Sequence, residues 1–147
     1  MPTTPNYNLR YPVLTDTANV PRDLGYLAAD VDNQLKTVDD KFTPAWIAPT
    51  LTNGWANLGG GTVAVGYRLR GGVVELRGTI AGGSAAVAAF TLPVGFRPSA
   101  IHLFTALADP GVARLDVGSD GVVTVRAYAA GGSNAIVSLN GVSFSTV

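Results

Sequence analysis

The side chains able to do chemistry are few, and their spacing builds no reaction centre. His102 is the only histidine, and cysteine is absent. A nucleophilic triad needs a base with an orienting partner, and zinc needs three or four ligands; one histidine supplies neither. The carboxylates of the C-terminal part are Glu75, Asp109, Asp116 and Asp120. Glycoside hydrolysis requires two carboxyl groups about 5–10 Å apart across a cleft. Asp120 stands before Gly121, and Asp109 before Pro110-Gly111, both settings for turn residues. Glu75 alternates with apolar neighbours as a solvated strand residue does. Gly59-Gly60-Gly61 is followed by neither Lys-Ser/Thr nor a helix, so it reads as a joint and not as a phosphate cradle. The expectation is no catalytic residue, no metal, no cofactor and no enzymatic activity.

Binding is the remaining chemistry. Saccharide sites combine aromatic faces with a few fixed polar groups. Trp55, Tyr67, Arg126 and Tyr128 are candidates, though each is better explained by core or interface packing. Arg97 lies between Phe96 and Pro98, where proline holds the chain stiff. It suits a salt bridge or a carbonyl clamp across an interface better than a ligand contact. The loops 81–86, 108–111 and 129–134 hold small residues and look like tight connections.

The elements that position these residues fall into zones. Residues 1–20 are rich in Pro, Thr, Asn and Tyr. Proline removes backbone donors, so an extended arm is expected, docking through Tyr7, Leu9, Tyr11, Val13 and Leu14. Residues 21–42 predict a helix, with Pro21 in the first turn and Thr43-Pro44 as the stop. Leu24, Ala28, Val31, Leu35, Val38 and Phe42 are spaced four, three, four, three, four, which is a heptad seam. Asp32 and Lys36 are placed to pair one turn apart. A helix this short is marginal alone, so it must pack on its own C-terminal domain or on copies of itself. Periodicity does not choose between the two. Residues 43–61 read as a Pro/Gly-rich linker whose Trp46, Ile47, Leu51 and Trp55 pack against something.

From Thr62 to residue 147 the pattern is β. Strands are expected near 62–70, 73–80, 86–92, 100–107, 112–118, 122–128, 134–139 and 141–146. Gly71-Gly72 and Asp120-Gly121 are two-residue hairpin signals. The spacing predicts a mainly β chain whose C-terminal domain is an antiparallel β-sandwich or jelly roll. Val122, Val123, Val125, Ala127 and Tyr128, and likewise Ile101, Leu103, Phe104 and Leu107, make strands apolar on both faces. A subunit interface would require that.

Composition sets outer limits. Hydrophobic residues are 47% and charged residues 14%, so most of the chain should be folded. Ten basic and ten acidic residues give zero formal charge without a basic run, which argues against nucleic acid as a partner. No stretch has the roughly 20 apolar residues that span a bilayer, so no membrane insertion is expected. The first twenty residues lack the apolar core of a secretory signal. A protein working outside a cell would then leave by another route, such as lysis.

The β zone carries a resemblance. Gly54-Trp55, Tyr67-Arg68, Gly71-Gly72-Val73-Val74-Glu75-Leu76-Arg77-Gly78, Gly82-Gly83, Leu92-Pro93-Val94-Gly95-Phe96-Arg97-Pro98, Asp120-Gly121 and Leu139-Asn140-Gly141-Val142-Ser143-Phe144 occur in that order. The stretch from Trp55 to Phe144 resembles the C-terminal β-domain of phage tail-fibre and receptor-binding proteins. Tyr7-Asn8-Leu9-Arg10-Tyr11-Pro12 and Leu24 to Asp32 are similar to openings of minor tail and appendage proteins in phages of actinobacteria. The resemblance implies a homotrimer on the virion. Its N-terminal arm would anchor in a tail, baseplate or capsid protein, and a short three-helix coil would carry β-domains toward a host-surface saccharide. A capsid decoration protein or head fibre of the same architecture is an alternative. A carbohydrate-binding module or polysaccharide-degrading enzyme is a further one.

Overall fold

The computed structural model describes residues 1–146. The chain divides into two units, Met1–Thr43 and Pro44–Val147. In the first, α1 runs Val20–Phe42. Asn19 caps it by accepting the Arg22 N–H at 3.0 Å, and Pro21 lies in the first turn, where no donor is lost. Thr43 closes the other end by donating its N–H to the Asp39 carbonyl. Lys36 pairs with Asp40 at 2.9 Å, not with Asp32 as expected from spacing. Both carboxylates lie one turn from the ammonium, so periodicity could not select between them.

The segment before α1 was expected to be extended, and part of it closes on itself. Thr3 and Arg10 form an antiparallel bridge, and Thr4 and Leu9 are joined by a 2.9 Å backbone hydrogen bond. Asn8 takes a left-handed conformation that lets the turn close. The turn is tied to the helix by Arg10, whose guanidinium and backbone N–H both reach Asp30. Gln34 donates to the Tyr7 carbonyl at 3.1 Å.

The second unit is mainly β, with every strand pairing antiparallel. Its strands are β1 Ala56–Asn57, β2 Gly66–Arg70, β3 Val73–Arg77, β4 Thr79–Ala81, β5 Ala88–Thr91, β6 His102–Ala108, β7 Gly111–Val117, β8 Val122–Ala129, β9 Val137–Ser138 and β10 Ser143–Ser145. Seven of them form a sheet in the order β1-β4-β9-β6-β7-β8-β5, and three form a second in the order β10-β3-β2. One buried cluster draws on both sheets, including Val74, Leu76 and Phe144 from the smaller and Ile80, Phe90, Leu115 and Val125 from the larger.

The two hairpin signals differ: Gly71-Gly72 is the expected two-residue turn, whereas Asp120-Gly121 is half of a longer connection, residues 118–121. Gly71-Gly72 joins β2 to β3, pairing Arg70 with Val73. Asp120 accepts the Val122 N–H in the turn between β7 and β8. The expected strand over 73–80 is divided at Gly78. That residue sits at φ +100° and runs so close to the Val65 backbone that a side chain would collide with it. The chain therefore leaves one sheet after Arg77 and enters the other at Thr79.

Candidate functional site

The helix presents the first candidate surface. None of its residues is buried. The whole expected seam, Leu24, Ala28, Val31, Leu35, Val38 and Phe42, is exposed, with Leu35 at 64% and Phe42 at 58%. Of the expected anchor residues, Tyr7, Tyr11, Val13 and Leu14 are exposed and Leu9 is half-buried. Tyr26, next to the seam, is covered by the Arg10 guanidinium 4.3 Å above its ring. Hydrogen bonding to Arg10 holds the Asp30 carboxyl below the usual range.

In the β unit, the residues singled out from sequence separate into different environments. Trp55 is buried, its indole N–H donates to the Ser84 carbonyl at 3.2 Å, and its ring fills the space where Gly83 lacks a side chain. Tyr67 is buried edge-on against Phe96, with ring centroids 4.9 Å apart. Arg97 donates from Nε to the Leu92 carbonyl at 2.9 Å and lies over Gly121. It is a carbonyl clamp within one chain. Tyr128 is half-buried, its hydroxyl has no partner among the described residues, and burial raises its pKa. His102 stacks on Phe104 and tilts against Phe144.

Two of the carboxylates, Asp116 and Glu75, are held by arginines. Asp116 is buried on β7 and is gripped by Arg114 at 2.7 Å and Arg126 at 3.0 Å. Burial pushes its pKa up, but the two guanidiniums outweigh burial and hold it below the usual range. Glu75 was expected to be a solvated strand residue. It is bound instead by Arg68 at 2.6 Å and Arg70 at 2.8 Å, and the Arg68 hydrogen bond chiefly lowers its pKa. A general acid in glycoside hydrolysis needs the opposite shift. Beside the Asp116 cluster, β6 and β7 turn Leu103, Leu107 and Val112 outward together with Ile101 at the strand's start. The two-sided apolar character of 101–107 therefore has a structural counterpart, an exposed apolar stripe.

The fold has a solved counterpart. It is the receptor-binding protein (gp15) of Listeria phage PSA. The two are similar with a TM-score of 0.64 and 17% sequence identity, over 89% of this chain and 80% of that one. No protein-family model matches the sequence, and a search of curated proteins gives no significant match. No helix among the described residues is long and apolar enough to cross a membrane.

One cluster escaped the sequence reading. Trp46 was grouped with the linker tryptophans. Its neighbour Ile47 pairs with Tyr67 through two 2.9 Å backbone hydrogen bonds, which lays the chain along β2. The Trp46 ring then meets two guanidiniums, Arg68 at 4.3 Å and Arg77 at 4.4 Å from its centroid. The available signal was the alternation in β2 and β3, which puts Arg68, Glu75 and Arg77 on one face. Nothing in the sequence placed an indole there.

Proposed function

We propose that the chain is a structural virion appendage of a phage, of the tail-fibre or receptor-binding type. It attaches to the particle by its N-terminal segment and presents a trimer of β-sandwich domains for attachment to a host-surface saccharide. The observation that carries this reading is the fold shared with a phage receptor-binding protein. The helix supports the trimer. A 23-residue helix with an apolar seam and no buried residue leaves its hydrophobic surface to be covered by something. Full burial of a Leu, Val or Phe side chain contributes roughly 1.5–3 kcal/mol, so Leu24, Val31, Leu35, Val38 and Phe42 of each chain would give a three-helix core a strong driving force. The outward stripe of Leu103, Leu107 and Val112 supplies further surface suited to subunit contact.

Solution mass by light scattering tests the assembly. The expected mass is three times the 15.1 kDa of one chain, and a single-chain mass overturns the trimer. Deleting residues 1–20 tests the anchor. The truncated chain should keep its β-sheet circular dichroism and fail to enter particles, whereas normal incorporation would remove the anchoring role.

A further inference from the structure

We infer that the outward face of the three-stranded sheet, around Trp46 and Arg77, is a binding site for an oxyanion carried on a hydroxylated chain, such as an acidic glycan. The inference rests on the host-attachment reading for its biological setting and on independent geometry for its chemistry.

The strand register builds the face. Gly66 pairs with Arg77, Arg68 with Glu75, and Ser143 of β10 also with Glu75. These residues share one side, while Tyr67, Val74, Leu76 and Phe144 point into the core. Gly66 has no side chain, so the Trp46 Cβ and the Arg77 Nε both come within ordinary contact of the place a Cβ would occupy.

The ion pairing on this face is unequal. Arg68 and Arg70 occupy the two Glu75 oxygens, Arg68 on Oε2 and Arg70 on Oε1. Among the described residues Arg77 has no carboxylate partner, and its Nε is buried without a hydrogen bond. Three guanidiniums thus face one carboxylate. A guanidinium already oriented on an aromatic face is prepared to offer its terminal N–H groups to a planar oxyanion. Stacking on Trp46 keeps the charge without supplying an acceptor.

Beside Arg77 lies an open groove of about 310 Å³, also lined by Trp46, Glu75, Asn140 and Ser143. Asn140 uses its Oδ1 to accept the Gly78 N–H at 2.8 Å, which leaves its amide Nδ2 as a donor. The Ser143 hydroxyl can both donate and accept. A charged fork, an indole and neutral hydroxyl-compatible groups in one groove match a sugar unit bearing a carboxylate or phosphate. They do not match an apolar ligand. The shared chemistry is the oxyanion, and its two sources are separable by experiment.

The test is calorimetric titration of the full chain with an oligogalacturonate, an oligomer of glycerol phosphate, and neutral cellohexaose. At least one anionic probe should bind more tightly than cellohexaose, and the one preferred identifies carboxylate or phosphate as the source. Arg77→Gln should weaken that probe by roughly tenfold, the scale of one lost charge-assisted contact. Arg77→Lys should recover part of the loss, because charge returns without the fork. An unchanged melting temperature in Arg77→Gln excludes misfolding, and Asn140→Ala, which leaves the stack intact, should weaken binding by a smaller factor. The site is overturned if neither anionic probe outbinds cellohexaose, or if Arg77→Gln binds the probes as the parent does. Either result leaves the mass and incorporation tests of the appendage reading untouched.

Discussion

The two units use apolar residues in opposite ways. In the β unit, Ile80, Leu92, Leu115, Val125 and Leu139 are wholly buried by their own chain. In the helical unit, Leu24, Leu35, Val38 and Phe42 are all at least half exposed. The period of the pattern accounts for the difference. Alternation at two residues buries one face of each strand when strands pair and two sheets share a core. A heptad stripe on one helix faces nothing until another helix arrives. The β unit buries a core of its own and leaves the stripe of Leu103, Leu107 and Val112 outward, whereas the helix buries none of its residues.

That contrast can be broken by experiment. The largest effect is expected from Leu35→Asp. A carboxylate placed in the seam of a three-helix core would be buried three times without a partner. The expected outcome is a fall in light-scattering mass to that of one chain, with the β-sheet circular dichroism retained. An unchanged mass would show that the seam is not an interhelical core. Leu115→Ala should act in the other unit, costing about 2–5 kcal/mol of stability. Its loss in a denaturant titration should be independent of protein concentration, because Leu115 is buried within one chain. Concentration dependence would show that the β unit is stabilised by assembly.

The smallest effect concerns acid. Asp30, Glu75 and Asp116 all have lowered pKa values in the folded chain. A lowered folded value stabilises above the unfolded pKa, so this contribution is present at neutral pH. It is lost as pH falls below about 4 toward the lowered values. Asp116→Asn should cost about 1 kcal/mol at neutral pH, after allowance for screening of its half-exposed arginines. The variant's melting temperature should then depend less on pH below that point than the parent's. Equal slopes would assign the acid sensitivity to Glu75 and Asp30 instead.

Particular residues show how far the sequence could be read. The heptad spacing from Leu24 to Phe42 located the helix to within a residue, because caps and periodicity act locally. Gly71-Gly72 and Asp120-Gly121 located two hairpins, because turn chemistry also acts locally. Gly78 was read as part of one strand, since its close approach to Val65 depends on a segment folded back from thirteen positions earlier. For Arg97 the sequence suggests a salt bridge or a carbonyl clamp across an interface, and the structure shows a clamp on the Leu92 carbonyl five residues away in the same chain. Trp55 and Tyr67 were candidates for ligand or interface contact as well as for core packing, and both are buried in the core of their own chain.

By itself the sequence determined the helix with its apolar spacing, the antiparallel β character of the later chain and the places of two of its hairpins. Each of these follows from period, caps or turn residues within a short window. Only the tertiary structure decided which side chains meet. It set Asp116 between Arg114 and Arg126, gave Glu75 to Arg68 and Arg70, and laid Trp46 across Arg68 and Arg77. The arginine–carboxylate pairs are near in sequence but depend on strand register, and the Trp46 contacts depend on a segment that the sequence pattern does not place along β2.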